Sequence, residues 1–246
     1  MTMIKVRDLT KRFGKLIAVN NVTFSISAGD IVGFLGPNGA GKSTSMRLLT
    51  GFLDADSGNI EICGQNIQTN RYLAKSYIGY LPEAAGGFPH LTVREFLTFC
   101  GESRGLAGLH LSKAIAKTCS LVDLSNALDK SMKSLSKGWR QRAWLAQAII
   151  HDPPVLILDE PTDGLDPLQK ENVRDLIRSV ASDKAIILST HILEEAEEIC
   201  NRAIIINDGQ VVADDTPKNM ADKNGRIGEA FSKLVITSQL IDKNLS

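Results

Sequence analysis

The chain has 246 residues, and its 28 Lys and Arg are matched by 28 Asp and Glu, for a formal net charge of zero. Hydrophobic residues at 43% and charged residues at 23% describe an ordinary globular chain, long enough to bury a core without disulfides or structural metal. Neutrality excludes the generally basic surface that holds duplex nucleic acid. No apolar run approaches the roughly 18 residues of a membrane-spanning helix. The longest, around 143–150, is interrupted by Gln147. The opening stretch MTMIKVRDLTKRF lacks the apolar segment of a secretory leader. Cys63, Cys100, Cys119 and Cys200 are scattered and make no CxxC pair, which reads as reduced thiols packed as small hydrophobes. The expectation is a soluble, cytoplasmic protein.

Along the chain, Ile4, Val6 and Leu9, and then Val22, Phe24 and Ile26, are apolar positions alternating with polar ones, which predicts strands with one buried face. Ala28-Gly29-Asp30 reads as a turn. Ile31 to Leu35 is almost continuously apolar, as a parallel strand covered on both faces must be. A glycine-rich turn follows, then helical character from Ser43 to Thr50. Asp54 to Gly58 reads as a turn, with Ile60 and Ile62 alternating after it. From about Leu91 the period changes. Thr92 and Glu95 form a capping-box pattern ahead of Phe96 and Leu97, and Leu109, Leu111, Ile115 and Leu121 predict further helix. Val155 to Leu158 returns to buried strand, and Pro167 opens a helix at its first-turn position. Ala185–Leu188, Leu193–Ile199 and Ala203–Ile206 alternate strand, helix, strand. Asp208-Gly209 is a tight hairpin turn into Val211-Val212.

Three motifs carry chemistry. Gly36-Pro37-Asn38-Gly39-Ala40-Gly41-Lys42-Ser43-Thr44 fits G-x-x-x-x-G-K-[ST] between a buried strand and a helix. Glycines let successive N–H groups turn toward phosphate oxygens, and the helix adds its positive end. Lys42 supplies a point charge, and the Ser43 hydroxyl can ligate Mg²⁺. Val155-Leu156-Ile157-Leu158-Asp159-Glu160 delivers two carboxylates at the C-terminal end of an apolar strand, where open α/β sheets place ligands. Asp159 suits Mg²⁺, and Glu160 suits the polarisation of a water for attack on the γ-phosphate. Leu135-Ser136-Lys137-Gly138-Trp139-Arg140-Gln141-Arg142 opens an amphipathic helix, and its Ser136 hydroxyl, Gly138 N–H and helix end make a second anion site. Two phosphate sites on one chain are redundant unless the second serves a neighbour's nucleotide.

These motifs, with His191 after them, stand in the order and spacing of ABC-transporter ATP-binding subunits, and the chain resembles that family to about Asp215. The resemblance implies an α/β fold: a P-loop NTPase core with an N-terminal antiparallel β subdomain and an inserted α-helical subdomain. That places one ATP-binding domain at 1–215, the helical part at about 88–150, and a C-terminal tail at 216–246. Position by position, it implies that Phe13 stacks on adenine with Val19 as an apolar neighbour. Asn38, Gly39, Ala40, Gly41, Lys42, Ser43 and Thr44 hold the phosphates. Ser136, Lys137 and Gly138 act in trans, Asp166 touches the opposing subunit, and His191 contacts the γ-phosphate beside Glu160. Ser43, Asp159 and Glu83 would serve Mg²⁺. Glu83 departs from the family, which normally has glutamine there; a carboxylate can ligate Mg²⁺ but, ionised, cannot donate a hydrogen bond. The signature departs too, with Lys137 and Trp139 for Gly and Gln. The cationic run Lys130, Lys133, Lys137, Arg140 and Arg142 suits a phosphate-facing or an exposed surface. The acidic run Glu194, Glu195, Glu197 and Glu198 reads as a solvated helix face.

The implied function is an ATP-hydrolysing motor subunit of an ABC transporter, of exporter type. Its cofactors are ATP and Mg²⁺. Its partners are a second ATP-binding subunit, identical or not, and a transmembrane permease, with no direct nucleic-acid contact. It would sit on the cytoplasmic face of the membrane through that permease. The alternative is a soluble ATPase of the same superfamily in nucleic-acid maintenance or translation. Such proteins carry long coiled coils, zinc modules or two ATP cores, and the 116 residues between Lys42 and Asp159 hold no sustained heptads and no cysteine pair.

Overall fold

A computed structural model describes residues 1–84, 86–223 and 225–234. Two sheets organise it. The first is antiparallel, in the order β2-β1-β4-β5, from β1 (Thr2–Phe13), β2 (Leu16–Ser27), β4 (Ser57–Ile62) and β5 (Gln65–Asn66). The second has six strands in the order β10-β9-β3-β8-β7-β6. Its members are β3 (Ile31–Leu35), β6 (Ile78–Leu81), β7 (Val155–Asp159), β8 (Ala185–Thr190), β9 (Arg202–Asn207) and β10 (Gln210–Asp215). Five of these run parallel and β10 returns antiparallel on β9.

The central strands are apolar throughout because each is covered on both faces. In β3, Val32 and Phe34 join the core beneath the antiparallel sheet, where Phe34 meets Phe24 with ring centroids 5.8 Å apart. Ile31 and Leu35 point to the other core, shared with the helices. The same alternation runs along β7, β8 and β9. Burying a Leu, Ile or Phe side chain is worth about 1.5–3 kcal/mol, so this doubly covered sheet is the rigid base of the molecule.

The helices are α1 (Lys42–Leu49), α2 (Arg71–Ser76), α3 (Val93–Ser103), α4 (Gly108–Leu121), α5 (Lys137–Ile149), α6 (Pro167–Val180), α7 (Leu193–Ile199) and α8 (Pro217–Met220). Between β6 and β7 the chain forms α3, α4 and α5. The capping box at the start of α3 is complete: Thr92 Oγ1 accepts from the Glu95 N–H, and Glu95 returns a carboxylate to the Thr92 N–H at 2.7 Å. Phe96 lies 5.4 Å from Trp144, centroid to centroid, which ties α3 to α5.

Strand lengths differ from the periodicity reading. The alternation marks only the buried middles of β1 and β2, but both strands extend to a turn at Gly14-Lys15, where polar residues pair as an exposed ribbon. Helix α2 had no clear sequence signal; only Ala74 in it is buried. In the tail, Ile227 is buried and its N–H donates to Glu197 at 2.7 Å, with residues 228–234 helical beyond it. The rest of the tail, 235–246, lies outside the described residues.

No helix among the described residues is long and apolar enough to cross a membrane.

Candidate nucleotide site

The loop between β3 and α1 sits at the C-terminal edge of the parallel sheet, beside the ends of β7, β8 and β9. Gly41 caps α1 with φ at +103°, a conformation other residues rarely adopt, and a Cβ there would collide with the Ala18 carbonyl. This close approach brings β2 against the loop and opens a cavity of about 590 Å³, within the range of nucleotide-sized pockets.

One end of the cavity is apolar, with Phe13, Leu16, Ile17 and Ala18. Phe13 is 47% exposed, and the Lys11 ammonium stands 5.6 Å from its ring centroid. Val19, expected beside the base, is instead fully buried in the core under the antiparallel sheet. The pleat turns it away from the cleft, and Ile17 and Ala18 take that place. Asn38, Gly39, Gly41, Lys42, Ser43 and Thr44 line the other end, with Glu83 and Glu160. Ala40 is not part of that wall: its N–H donates to the Pro37 carbonyl at 3.2 Å and its side chain is buried.

Lys42 is only 6% exposed, and its ammonium donates to the Gly36 carbonyl at 2.7 Å and the Pro37 carbonyl at 3.1 Å. Burial lowers its pKa, against the pull of Glu160, Asp159 and Glu83. Asp159 is buried at the end of β7 and accepts from the Ser189 hydroxyl. Burial pushes its pKa up and the Glu83 and Glu160 charges add to the rise, while hydrogen bonds from Ser189 and Ser43 oppose it. Ser43 Oγ donates to Glu83 Oε2 at 3.4 Å.

Ser43, Glu83 and Asp159 thus present oxygen atoms only, the donor set of a hard divalent cation. No three His, Cys, Asp or Glu side chains among the described residues converge on a protein-only metal site. A cation here would take its remaining ligands from phosphate and water, as Mg²⁺ does in phosphoryl-transfer sites.

Glu160 follows β7 with φ at +49°, outside the strand. Its N–H donates to the Ser189 hydroxyl at 3.1 Å, and its carboxylate meets His191 Nδ1 at 3.1 Å. The β8 end therefore positions both carboxylates, Asp159 through Ser189 and Glu160 through Ser189 and His191. The sequence reading singled out His191 but not Ser189.

Ser136, Lys137 and Gly138 lie outside this cavity. Ser136 is the N-cap of α5 and accepts from the Trp139 N–H at 3.4 Å. Lys137 pairs with Asp163 at 3.0 Å on the surface. A Cβ on Gly138 would meet the end of the Gln169 side chain, which would have to move aside. Gln141, read only as part of the motif, is buried and donates to the Pro161 carbonyl at 3.1 Å. The start of α5 is thereby bolted to the segment that follows Glu160. Asp166 caps α6, accepting from the Gln169 N–H at 2.9 Å.

Each of the two charge runs is divided between surface and interior: Lys130, Lys133 and Lys137 of the cationic run are exposed. Arg142 turns inward and pairs with Asp123 at 2.7 Å, and with Lys130 it flanks the Trp139 ring, so the cationic run is not one phosphate-facing surface. The acidic run is a solvated face only in part: Glu194 and Glu198 are exposed, but Glu195 is not. Glu195 is 2% exposed and accepts from Thr162 at 2.6 Å, Thr190 at 3.0 Å and Lys170 at 3.3 Å. Glu197 pairs with Arg226, and Glu198 with Arg174.

A parallel sheet with a phosphate loop at its C-terminal edge, and two carboxylates at the adjacent strand end, defines an ATPase of the P-loop class. Comparison narrows this. Residues 19–163 match the family model described as ABC transporter. Nod factor export ATP-binding protein I of Burkholderia lata is 37% identical over 215 residues, 87% of this chain and 71% of that one. Bacitracin transport ATP-binding protein BcrA of Bacillus licheniformis is 39% identical over 86% of this chain and 69% of its own. A solved ATP-binding subunit of an ABC transporter superposes with a TM-score of 0.86 at 28% identity, covering 94% of this chain and 99% of that one. A dimeric bacterial ABC transporter cassette gives 0.79 at 25% identity, covering 87% and 98%. The chain belongs to the ABC transporter family, as an ATP-binding, ATP-hydrolysing subunit.

Proposed function

We propose that this subunit is the motor of a transporter and works as a head-to-tail pair with two ATP molecules between the copies. The observation that carries this reading is the separation of two phosphate-ready elements. The cleft gathers the phosphate loop, Ser43, Glu83 and Glu160, while Ser136 and Gly138 stand outside it on the same chain. A second subunit would bring its Ser136, Lys137 and Gly138 to the phosphates, with Asp166 and its loop at the junction. The dimeric cassette among the similar structures supports this arrangement.

In this reading Phe13 stacks on the base, while Asn38, Gly39, Gly41 and Thr44 contact the phosphates. Lys42 exchanges its loop carbonyls for β- and γ-phosphate oxygens. Ser43, Asp159 and Glu83 would hold Mg²⁺, which when bound neutralises phosphate charge. Glu160 takes a proton from the attacking water, oriented by His191, whose ring stays within reach of the γ-phosphate. ATP then acts as interfacial glue, and hydrolysis divides its charge and lets the copies part.

The membrane partner would be a separate permease, which puts this subunit on the cytoplasmic face. A surface groove lined by Phe52, Tyr72, Lys75, Tyr80 and Arg104, between the core and α3, suits that contact. Phe52 and Tyr72 are largely exposed there, as interface aromatics are. Export as the direction rests on the name of the Nod factor relative, and the transport named for both relatives disfavours a role in nucleic-acid maintenance or translation.

The test is Glu160→Gln. The variant is expected to bind Mg²⁺-ATP normally, lose about 10²–10⁴-fold in turnover, and run as a dimer in gel filtration with ATP but not ADP. A variant that keeps its turnover and stays monomeric with ATP refutes the mechanism.

A further inference from the structure

We propose that Asp208 reads the sugar of the bound nucleotide, its carboxylate accepting the ribose hydroxyls, so that the subunit favours ribonucleotides over 2′-deoxyribonucleotides. The proposal rests on the nucleotide reading of the cleft and adds a residue that none of the three motifs contains.

The position comes from the sheet. Strand β9 pairs with β3 in parallel, Ile205 opposite Leu35, so the two strands end side by side. Where β3 launches the phosphate loop, β9 turns back through Asp208-Gly209 into β10. The turn is fastened on two sides. The Gly209 N–H donates to the Ala40 carbonyl at 3.0 Å, and the Gly209 carbonyl accepts from the Asn20 N–H at 2.8 Å. Asp208 is therefore held between the phosphate loop and β2. It lines the cavity together with the apolar end, Phe13 and Leu16 to Ala18, and with Asn38, Gly39 and Gly41 of the loop.

The carboxylate is also aimed. Asn207 is 2% exposed, and its side-chain amide donates to Asp208 Oδ2 at 2.9 Å. Turn chemistry does not require the charge. With φ at +47° and +77°, Asp208 and Gly209 form a two-residue hairpin turn that Asn-Gly or Gly-Gly makes equally well. An acceptor-only group on this wall would be repelled by a triphosphate, so a favourable role needs donors on the ligand. Between base and phosphates, a nucleotide carries two donors, the 2′ and 3′ hydroxyls of the ribose. A site that hydrogen-bonds a hydroxyl discriminates against the analogue that lacks it. Because Asp208 is exposed to solvent, a factor of about ten is expected rather than the far larger factors of buried sites.

The experiment measures equilibrium binding of Mg²⁺-ADP and Mg²⁺-2′-deoxy-ADP to the full chain, avoiding hydrolysis. The wild type is expected to bind ADP about tenfold more tightly than the deoxy form. Asp208→Gly, which preserves the turn, is expected to weaken ADP more than the deoxy form, which loses only its 3′ hydroxyl contact, bringing the ratio to about one. Asp208→Asn retains one acceptor, and its ratio is expected to fall between. Equal binding of the two nucleotides by the wild type, or an unchanged ratio in Asp208→Gly, overturns the proposal. If the wild type binds neither, the nucleotide reading of the cleft fails and the proposal with it.

Discussion

Lys42 is the one cationic side chain on the cavity wall among the described residues, and the carboxylates of Glu160, Glu83 and the buried Asp159 act on it. Such a wall should bind ATP more tightly with a divalent cation than without one. The Glu83 charge already acts on Lys42 and on Asp159. Glu83→Gln removes one unit of that repulsion, worth about 1 kcal/mol, or roughly fivefold in affinity. In EDTA the variant should bind ATP about fivefold more tightly than the wild type; at saturating Mg²⁺ the difference should shrink or reverse. Fluorescence titration of nucleotide at several Mg²⁺ concentrations reads this directly, and a wild type insensitive to Mg²⁺ would refute it. At this scale the sequence was informative wherever the residue type is itself the reagent. Lys42, Ser43, Asp159, Glu160 and His191 could each be named from spacing or resemblance. Ser189 and Asp208 could not. A serine at a strand end and an Asp-Gly turn are common local solutions, and only the alignment of neighbouring strand ends brings them to the cleft.

Helix α7 shows the same limit in an element. Four glutamates in seven residues look like a solvated face, because a run of charge is costly to bury. In the fold, Glu195 is the acceptor that joins Thr162, Thr190 and Lys170, and so couples α7 to the segment after Glu160 and to the end of β8. Glu195→Ala would leave two buried hydroxyls and a half-buried ammonium without their acceptor. It should cost about 3 kcal/mol, the low end for breaking a buried pair, since Lys170 retains some solvent. Glu195→Gln keeps one acceptor oxygen and offers its NH2 to the other hydroxyl, which can accept, and should lose less than half as much. Urea unfolding of the two variants checks both figures, and equal stability of Glu195→Ala and the wild type would remove Glu195 from the framework. Elements with strong periodicity or caps were legible in advance: β3, β7 and β8 from unbroken apolar runs, α3 from Thr92 and Glu95. The outer parts of β1 and β2, and α2, were not, because their residues pair or coil with little burial and so carry no hydrophobic period.

At the scale of the whole molecule, the start of α5 is held by three contacts to the 161–169 segment: Lys137 with Asp163, Gly138 against Gln169, and Gln141 with Pro161. A nucleotide felt at Ser136 by one copy would thus bear on the segment that begins at that copy's own Glu160. Ser136→Arg places a bulky cation at an exposed helix cap outside the chain's own cleft. It should abolish ATPase activity while leaving single-chain nucleotide affinity within about twofold, since no direct contact is lost. Unchanged turnover in a clean preparation would refute use of the signature in trans. The sequence by itself determined the phosphate loop, the Asp-Glu strand end and the alternation of apolar strands with helices. These are local chemistry, written in neighbouring residues. Only the tertiary structure decided which polar groups meet: Val19 turned into the core, Arg142 turned to Asp123, Glu195 buried among hydroxyls, Asp208 brought to the cleft. These contacts join residues from different elements, and their partners are chosen by how the strands order themselves in the sheet and how the helices pack beside it.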